Sequence, residues 1–213
     1  MARKKEFDPE ERMEKARDLF WEKGYNATSM EDLVQTMGLN RGSIYDTYGD
    51  KHSLYLQCLG NYASEKLKEH KEAALGTSPM ERVENMIRSA VEATVNTGKC
   101  CMAVNSTFEL ATVDQSVHSI IKNNWKDIVN FFEQLLTDAK AQGEISADKD
   151  PKLMAEFIAA NFTGLWQTFI LSRDKKQVEK LAQFLIDMVK SWSFIFNKFP
   201  EKDLNSNSNR IYL

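Results

Sequence analysis

Residues 38–51, GLNRGSIYDTYGDK, constrain this chain more than any other stretch, because they read as the turn, second helix and exit of a helix-turn-helix. Upstream, Met30, Leu33, Val34 and Met37 give a first short helix one apolar face. Thr28 is placed to cap that helix, with Glu31 three residues on completing a capping box. Gly38 ends it, since glycine accepts the left-handed geometry of a tight turn. Leu39 then plugs the turn into a core and Asn40 caps the next helix. In that second helix only Ile44 and Tyr48 are spaced for burial. Arg41, Ser43, Tyr45, Asp46 and Thr47 are left facing outward.

So little apolar face suits an exposed helix. Its cation, hydroxyls and phenol are groups that donate to phosphates and base edges. Gly42 in the first turn costs about 1 kcal/mol of helix stability relative to alanine, a cost that close approach to a phosphate backbone would offset. Lys51 falls in the first turn of the following helix, where its charge opposes the helix dipole unless an anion binds nearby. The plainer alternative is an αα-corner with a solvated helix.

These residues resemble the TetR family of bacterial repressors. Its pattern is a small residue, a basic residue, glycine, Ser/Thr, an aliphatic, Tyr, two variable positions, an aromatic, two more variable positions and Lys. Asn40, Arg41, Gly42, Ser43, Ile44, Tyr45, Tyr48 and Lys51 fill it, and Ala16, Leu19, Phe20, Gly24, Tyr25 and Thr28 extend the likeness upstream. The chain departs from the pattern at Asp46 and Thr47, where many members carry His or Tyr, and at Gly49-Asp50, which replaces a more basic pair. The resemblance implies a DNA interface drawn from Thr28, Ser29, Asn40, Arg41, Gly42, Ser43, Tyr45, Thr47 and Lys51.

Residues 1–56 carry nine Lys/Arg against eleven Asp/Glu, a net charge of −2, within a chain of net charge −3. Attraction to DNA must therefore come from placed cations, Arg3, Lys4 and Lys5 in the arm and then Arg41 and Lys51, and nonspecific binding should be modest and salt-sensitive.

Proline and glycine punctuate the remainder. Asp8-Pro9, Ser78-Pro79 and Asp150-Pro151 each set a capping residue before proline at the first helical position. Helical spacing then predicts a first helix ended by Gly24, a long fourth over about 50–74 ended by Gly76, and a fifth ended by Gly98. A sixth is expected at about 100–111, a seventh at about 114–141, and two more to about 198. No segment alternates as a strand does. The expected fold is all-α with about nine helices: a three-helix DNA-binding domain over 1–50, a ligand-binding and dimerisation domain over 51–200, and a flexible tail over 201–213.

The eighth helix, from Leu153 to Leu171, is apolar on more than one face, and the ninth adds Val178, Leu181, Leu185, Val189, Trp192, Phe194 and Phe196. Apolar surface to spare on adjacent helices points to a four-helix seam between two chains, with Phe157 or Phe169 at its centre. Complete burial within a monomer is the alternative.

No run of 18 apolar residues spans a membrane, and the N-terminal charges precede no apolar stretch that would make a signal peptide. Three cysteines, two of them adjacent, suit a reducing cytoplasm better than a disulfide framework. His52, His70 and His118 lie far apart, without metal-ligand spacing, and there is no phosphate loop or nucleophile motif. The expectation is no enzyme, no metal and no cofactor.

Cys100 and Cys101, at a helix start beside Lys99, have a route to lowered pKa values and a redox or electrophile-sensing role. The preferred reading of both is as small buried hydrophobes. In the family's C-terminal half an inducer pocket lies among the central helices. The residues suggested for it here are Asn105, Phe108, Glu109, Trp125, Asn161, Phe162 and Trp166, in a cavity between the fifth and eighth helices. Aromatic walls with Glu109 beside them favour an uncharged or cationic aromatic inducer. The reading is thus a homodimeric repressor released from a palindromic operator by a small molecule. Its rivals are a thiol sensor and a helical interaction protein that does not bind DNA.

Overall fold

The computed structural model describes residues 7–191, which form nine α-helices with no strand among them. Arg3, Lys4 and Lys5 of the arm, Trp192, Phe194 and Phe196 of the last helix, and the 201–213 segment lie outside the described residues. The helices are α1 (Pro9–Lys23), α2 (Met30–Met37), α3 (Arg41–Tyr48), α4 (Lys51–Ala73), α5 (Pro79–Thr97), α6 (Met102–Glu109), α7 (Gln115–Ala141), α8 (Pro151–Ser172) and α9 (Lys175–Ser191). Among the described residues, no helix is long and apolar enough to cross a membrane.

Side-chain caps start most of these helices. Asp8, Ser29, Asn40, Asp50, Ser78, Asp114 and Asp150 each accept a hydrogen bond from a backbone N–H of the first turn. One expected cap moves by a residue. Ser29, not Thr28, caps α2, and Asp32 rather than Glu31 closes the capping box. Thr28 is instead buried, its hydroxyl donating to the Gly24 carbonyl at 2.6 Å. The displacement follows from burial: a threonine packed beneath the α1–α2 loop finds its acceptor there.

Helix ends also shift. α4 stops at Ala73 with Ala74 as its cap, ahead of Gly76, and α6 is shorter than expected, from Met102 to Glu109.

Two hydrophobic cores organise the chain. The first joins Phe20 of α1, Leu33 and Met37 of α2 and Ile44 and Tyr48 of α3 to Leu54, Tyr55 and Leu59 of α4. Met102 of α6, Leu110 just beyond it and Val117 of α7 complete it. This core does not stop at residue 50, because the first half of α4 is the floor on which α1 rests. The second gathers α5, α7, α8 and α9 around Ile87, Phe132, Leu136, Ile158, Phe162 and Leu185.

The apolar excess of α8 now has a physical reason. Ile158 and Phe169 enter the second core, Trp166 and Thr163 turn toward a cavity, and Phe157 and Thr168 line an outer groove shared with α9. A helix facing three environments reads as apolar all round.

Candidate DNA interface and effector cavity

The turn preceding α3 is fixed locally. Gly38 adopts φ 62°, ψ 34°, and the Asn40 side chain accepts from the Ser43 N–H at 2.8 Å. Below, Ile44 is fully buried and the Tyr48 hydroxyl donates to the Pro9 carbonyl at 2.7 Å. Arg12 donates to the Met37 carbonyl at 3.0 Å, tying α1 to the end of α2. With its inner face pinned, α3 presents Arg41, Gly42, Tyr45 and Asp46 as exposed residues, with Ser43 and Thr47 half-buried beside them. Arg41 has only Glu31 nearby, at 4.0 Å between exposed groups, so its guanidinium is available to another partner.

Gly42 is informative because nothing inside the protein requires it. A Cβ there would meet only the Asn40 side-chain oxygen, at 3.4 Å, an ordinary contact. Lys51 lies 4.2 Å over the Tyr25 ring, and desolvation by burial lowers its pKa. Thr28 is buried and offers nothing to an outside partner, whereas Ser29 and Asn40 are exposed and occupied as caps.

Farther along, a cavity of about 320 Å³ opens among α4, α6, α7 and α8. That position differs from the expected one, since α5 contributes none of its lining; between α5 and α8 lies only a smaller void of about 40 Å³, lined in part by Ala90, Thr94 and Trp166 among the described residues. Trp125, Phe162 and Trp166 line it as the sequence suggested.

The other suggested residues lie elsewhere. Asn105 is exposed, Phe108 is 74% exposed, and neither lines the cavity. Asn161 faces the outer groove, where its amide donates to the Phe157 carbonyl at 2.8 Å. Glu109 turns away to the DNA-binding end, accepting the Tyr25 and Asn26 backbone N–H groups at 3.1 and 2.8 Å. Proximity in sequence misled here, because α6 has one face on the cavity and the opposite face on the α1–α2 loop.

Sequence reasoning missed the polar members of the lining: Lys66 and His70 of α4, His118 and Lys122 of α7, and Thr107, Asn124 and Thr163. A usable signal existed. Tyr62, Lys66 and His70 recur every four residues on α4, and His118, Lys122 and Trp125 do nearly so on α7, placing bases within an apolar stripe. Without a carboxylate in the lining, the expected preference for a cationic inducer loses its basis.

Around the cavity, α6 is bound tightly to the first core. Trp21 Nε1 donates to the Cys100 carbonyl, and the buried Tyr55 and Ser106 hydroxyls share a hydrogen bond of 2.7 Å. His52 at the start of α4 bonds Asp114, the N-cap of α7.

The cysteines do not gain the expected activation. Burial pushes the Cys100 thiol up to about 11 and raises Cys101 as well. Lys99 is drawn off, pairing with Glu22 at 3.8 Å and lying 5.3 Å from the Trp21 ring centre. A thiol held protonated at neutral pH is a poor nucleophile.

On the outer side of α8 and α9, Phe157, Asn161, Gly164, Thr168, Leu181, Phe184 and Met188 line a groove of about 270 Å³, with Phe184 64% exposed. Phe169, the alternative seam residue, is 7% exposed and belongs to the second core.

Comparison with known proteins agrees with this architecture. Residues 13–58 match the family model of bacterial regulatory proteins of the tetR family, and residues 79–185 match the tetracyclin repressor-like C-terminal domain. The chain is 33% identical over 183 residues to YezE, an HTH-type transcriptional regulator of Bacillus subtilis, covering 80% of this chain and 89% of that one. It is 28% identical to the HTH-type transcriptional repressor ComR of Escherichia coli, over 90% and 91% of the two chains. A cysteine mutant of the regulator CifR, complexed with 26-bp operator DNA, superposes with a TM-score of 0.75 at 21% identity, over 87% of this chain and 98% of its own. FadR of Bacillus subtilis, in complex with stearoyl-CoA, gives a TM-score of 0.72 at 17% identity, over 86% and 98%. With both halves matched and a full-length relative at one-third identity, the chain belongs to the TetR family of DNA-binding bacterial transcriptional regulators.

Proposed function

We propose that this regulator is a homodimeric repressor that grips a palindromic operator through two copies of α3 and releases it when a small molecule fills the α4–α6–α7–α8 cavity. One observation carries the reading: α6 touches both sites. Val104 and Thr107 line the cavity, while Glu109, one turn on from Asn105, holds the Tyr25 and Asn26 amides of the DNA-binding end. A ligand that prefers a different position of α6 therefore acts on the loop that orients α2 and α3. The two recognition helices of a dimer must reach successive major grooves about 34–36 Å apart, so a small change in their spacing shifts the population off DNA.

Residues 1–50 form the DNA-reading part in this scheme and the later helices hold the inducer and the partner chain. Arg41, Ser43, Tyr45 and Thr47 face the groove, Gly42 lets the helix approach the backbone, and Lys51 adds a cation to the α4 N-terminus. The apolar groove of α8 and α9 is the seam with the second copy. The repressor acts where the chromosome is, in the cytoplasm. Operator-bound CifR and ligand-bound FadR, which share the fold, support both halves of the scheme.

Fluorescence anisotropy on DNA flanking the gene tests the reading. Arg41→Ala and Tyr45→Phe should weaken binding with little change in melting temperature, because neither side chain is buried. Variants that bind at wild-type affinity would remove α3 from the interface. Glu109→Gln should keep operator binding while reducing release by inducer, as one anionic acceptor of two amides is lost.

A further inference from the structure

We propose that the effector of this cavity is a compact apolar carboxylate rather than the cationic aromatic that the sequence suggested. The proposal rests on the reading of the cavity as the effector site, and concerns which chemistry that site accepts.

The walls are largely aromatic and aliphatic, with Tyr62, Trp125, Phe162 and Trp166 as their bulk. Into these walls α4 sets Lys66 and His70, and α7 sets His118 and Lys122; among the described residues no Asp or Glu lines the cavity. With two ammonium groups and no carboxylate, such a lining favours an anion and disfavours an ammonium, while burial lowers the His70 pKa and keeps its imidazole neutral.

The partners of these four groups sharpen the argument. Lys66 is paired with Glu69 at 2.6 Å, a residue outside the lining. Lys122 and the His118 ring have no ion pair or hydrogen bond among the described residues, and both are exposed, so the Lys122 ammonium holds positive potential where a ligand enters from water. His70 differs: its Nδ1 is buried and has no hydrogen-bond partner among the described residues. A buried imidazole nitrogen without a partner carries a desolvation cost, which a ligand oxygen accepting from an Nδ1–H removes. A carboxylate, which accepts only and offers about four lone-pair sites, suits His70, Lys66 and Lys122 together, while Asn124 and Thr163 supply neutral donors; the Thr107 hydroxyl is already donated to the Ala103 carbonyl.

Size narrows the class further. A cavity of about 320 Å³ lies at the small end of ligand sites, which run from roughly 300 to 1,000 Å³. It suits one aromatic ring or a medium-length chain.

The test uses the full-length protein and two matched trios: 3-phenylpropanoate, 3-phenylpropanamide and 3-phenylpropylamine, then octanoate, octanamide and octylamine. Each is measured by calorimetric titration and by release of operator DNA at pH 7. At least one carboxylate should bind about tenfold or more tighter than its amide, the amines should be weakest, and the carboxylate should release DNA. In a Lys66→Gln/Lys122→Gln variant that still binds operator, the preference for carboxylate over amide should fall to about threefold or less. Amide or amine binding as tight as the carboxylate overturns the proposal, as does failure of every compound to bind. A Thr163→Trp variant, which fills the cavity, separates the two readings. If carboxylates bind it as they bind wild type, the cavity is not the effector site. If an amine binds wild type and loses Thr163→Trp, the effector site stands and only the carboxylate assignment falls.

Discussion

Recognition helix α3 and inner helix α8 solve opposite problems. α3 buries two residues, Ile44 and Tyr48, and gives its remaining surface to water and polar groups. α8 buries Met154, Ala155, Ile158, Ala159, Phe162, Leu165 and Phe169, and still turns further apolar surface to a cavity and an outer groove. A helix that touches a polyanion needs donors on a rigid support, so its function is written in a few consecutive positions. A helix that lines a cavity shares the work with three others, and no single segment carries the lining. Most substitutions in α8 should therefore act through stability, and most on the outer face of α3 through binding alone.

The largest effects should come from the buried side of each helix. Phe169→Ala is expected to remove about 3–5 kcal/mol of stability, read by chemical denaturation, because it opens the second core. Phe184→Glu on the outer groove should instead convert a dimer to monomer in sedimentation at micromolar concentration, since a charge in an apolar seam has no partner. A stable wild-type monomer would end the two-groove mechanism. If the two α8–α9 variants behaved alike, the assignment of Phe169 to the core and Phe184 to the seam would fail.

Next in size, Ile44→Ala should cost roughly 2–4 kcal/mol, because the residue is completely buried in the first core. Its neighbour Gly42 should behave in the reverse sense. Gly42→Ala meets only an ordinary contact and removes the conformational penalty of glycine, so the fold should gain up to about 1 kcal/mol while operator affinity falls. A variant that is more stable and binds DNA equally well would break the idea that the backbone must come close at this position.

Smaller still is Lys51→Gln. Loss of the cation over the Tyr25 ring should cost about 0.5–1 kcal/mol of stability, and the slope of log affinity against log salt should drop by about 1 per subunit. An unchanged slope would leave Lys51 a structural cation only.

The smallest expected effect is acid sensitivity of the helix starts around the DNA-binding end. Hydrogen bonding from Lys23 and Ser29 holds Asp32 well below the usual carboxylate range, and the Ser53 and Val117 amides lower Asp50 and Asp114. Groups with depressed folded values contribute stability that is fully present above about pH 4, their unfolded range, and lost as pH falls through the folded values. Protection factors of amides in the first turns of α2, α4 and α7, corrected for the intrinsic pH dependence of exchange, should therefore fall on acidification below about pH 4, and Asp32→Asn should abolish the effect at α2.

Much was legible from the chain where the relevant physics is local. Helix starts followed from Asp8-Pro9, Ser78-Pro79 and Asp150-Pro151, because capping and proline geometry act within four residues. Helix α3 and its exposed polar face followed from the spacing of Ile44 and Tyr48 and from the polar residues between them. Thr28 shows where local reasoning stops: Thr28 and Ser29 can each cap α2, and the choice depends on which one the α1–α2 loop buries.

Tertiary structure alone decided the rest. Asn105, Phe108, Glu109 and Asn161 looked like cavity residues by composition, yet the rotation of α6 and α8 about their axes sends them to the surface, the α1–α2 loop and the outer groove. The same packing draws Lys66, His70, His118 and Lys122 from helices about fifty residues apart to line one cavity. Lys99 is taken from the cysteines by Trp21 and Glu22, partners nearly eighty residues away, and the thiols lose their route to activation. Sequence by itself determined the helices, most of their caps and the outward face of α3, because short-range hydrogen bonding and periodicity set them. Which faces meet, and therefore the sign of the charge that lines the cavity, was decided by packing among helices distant along the chain.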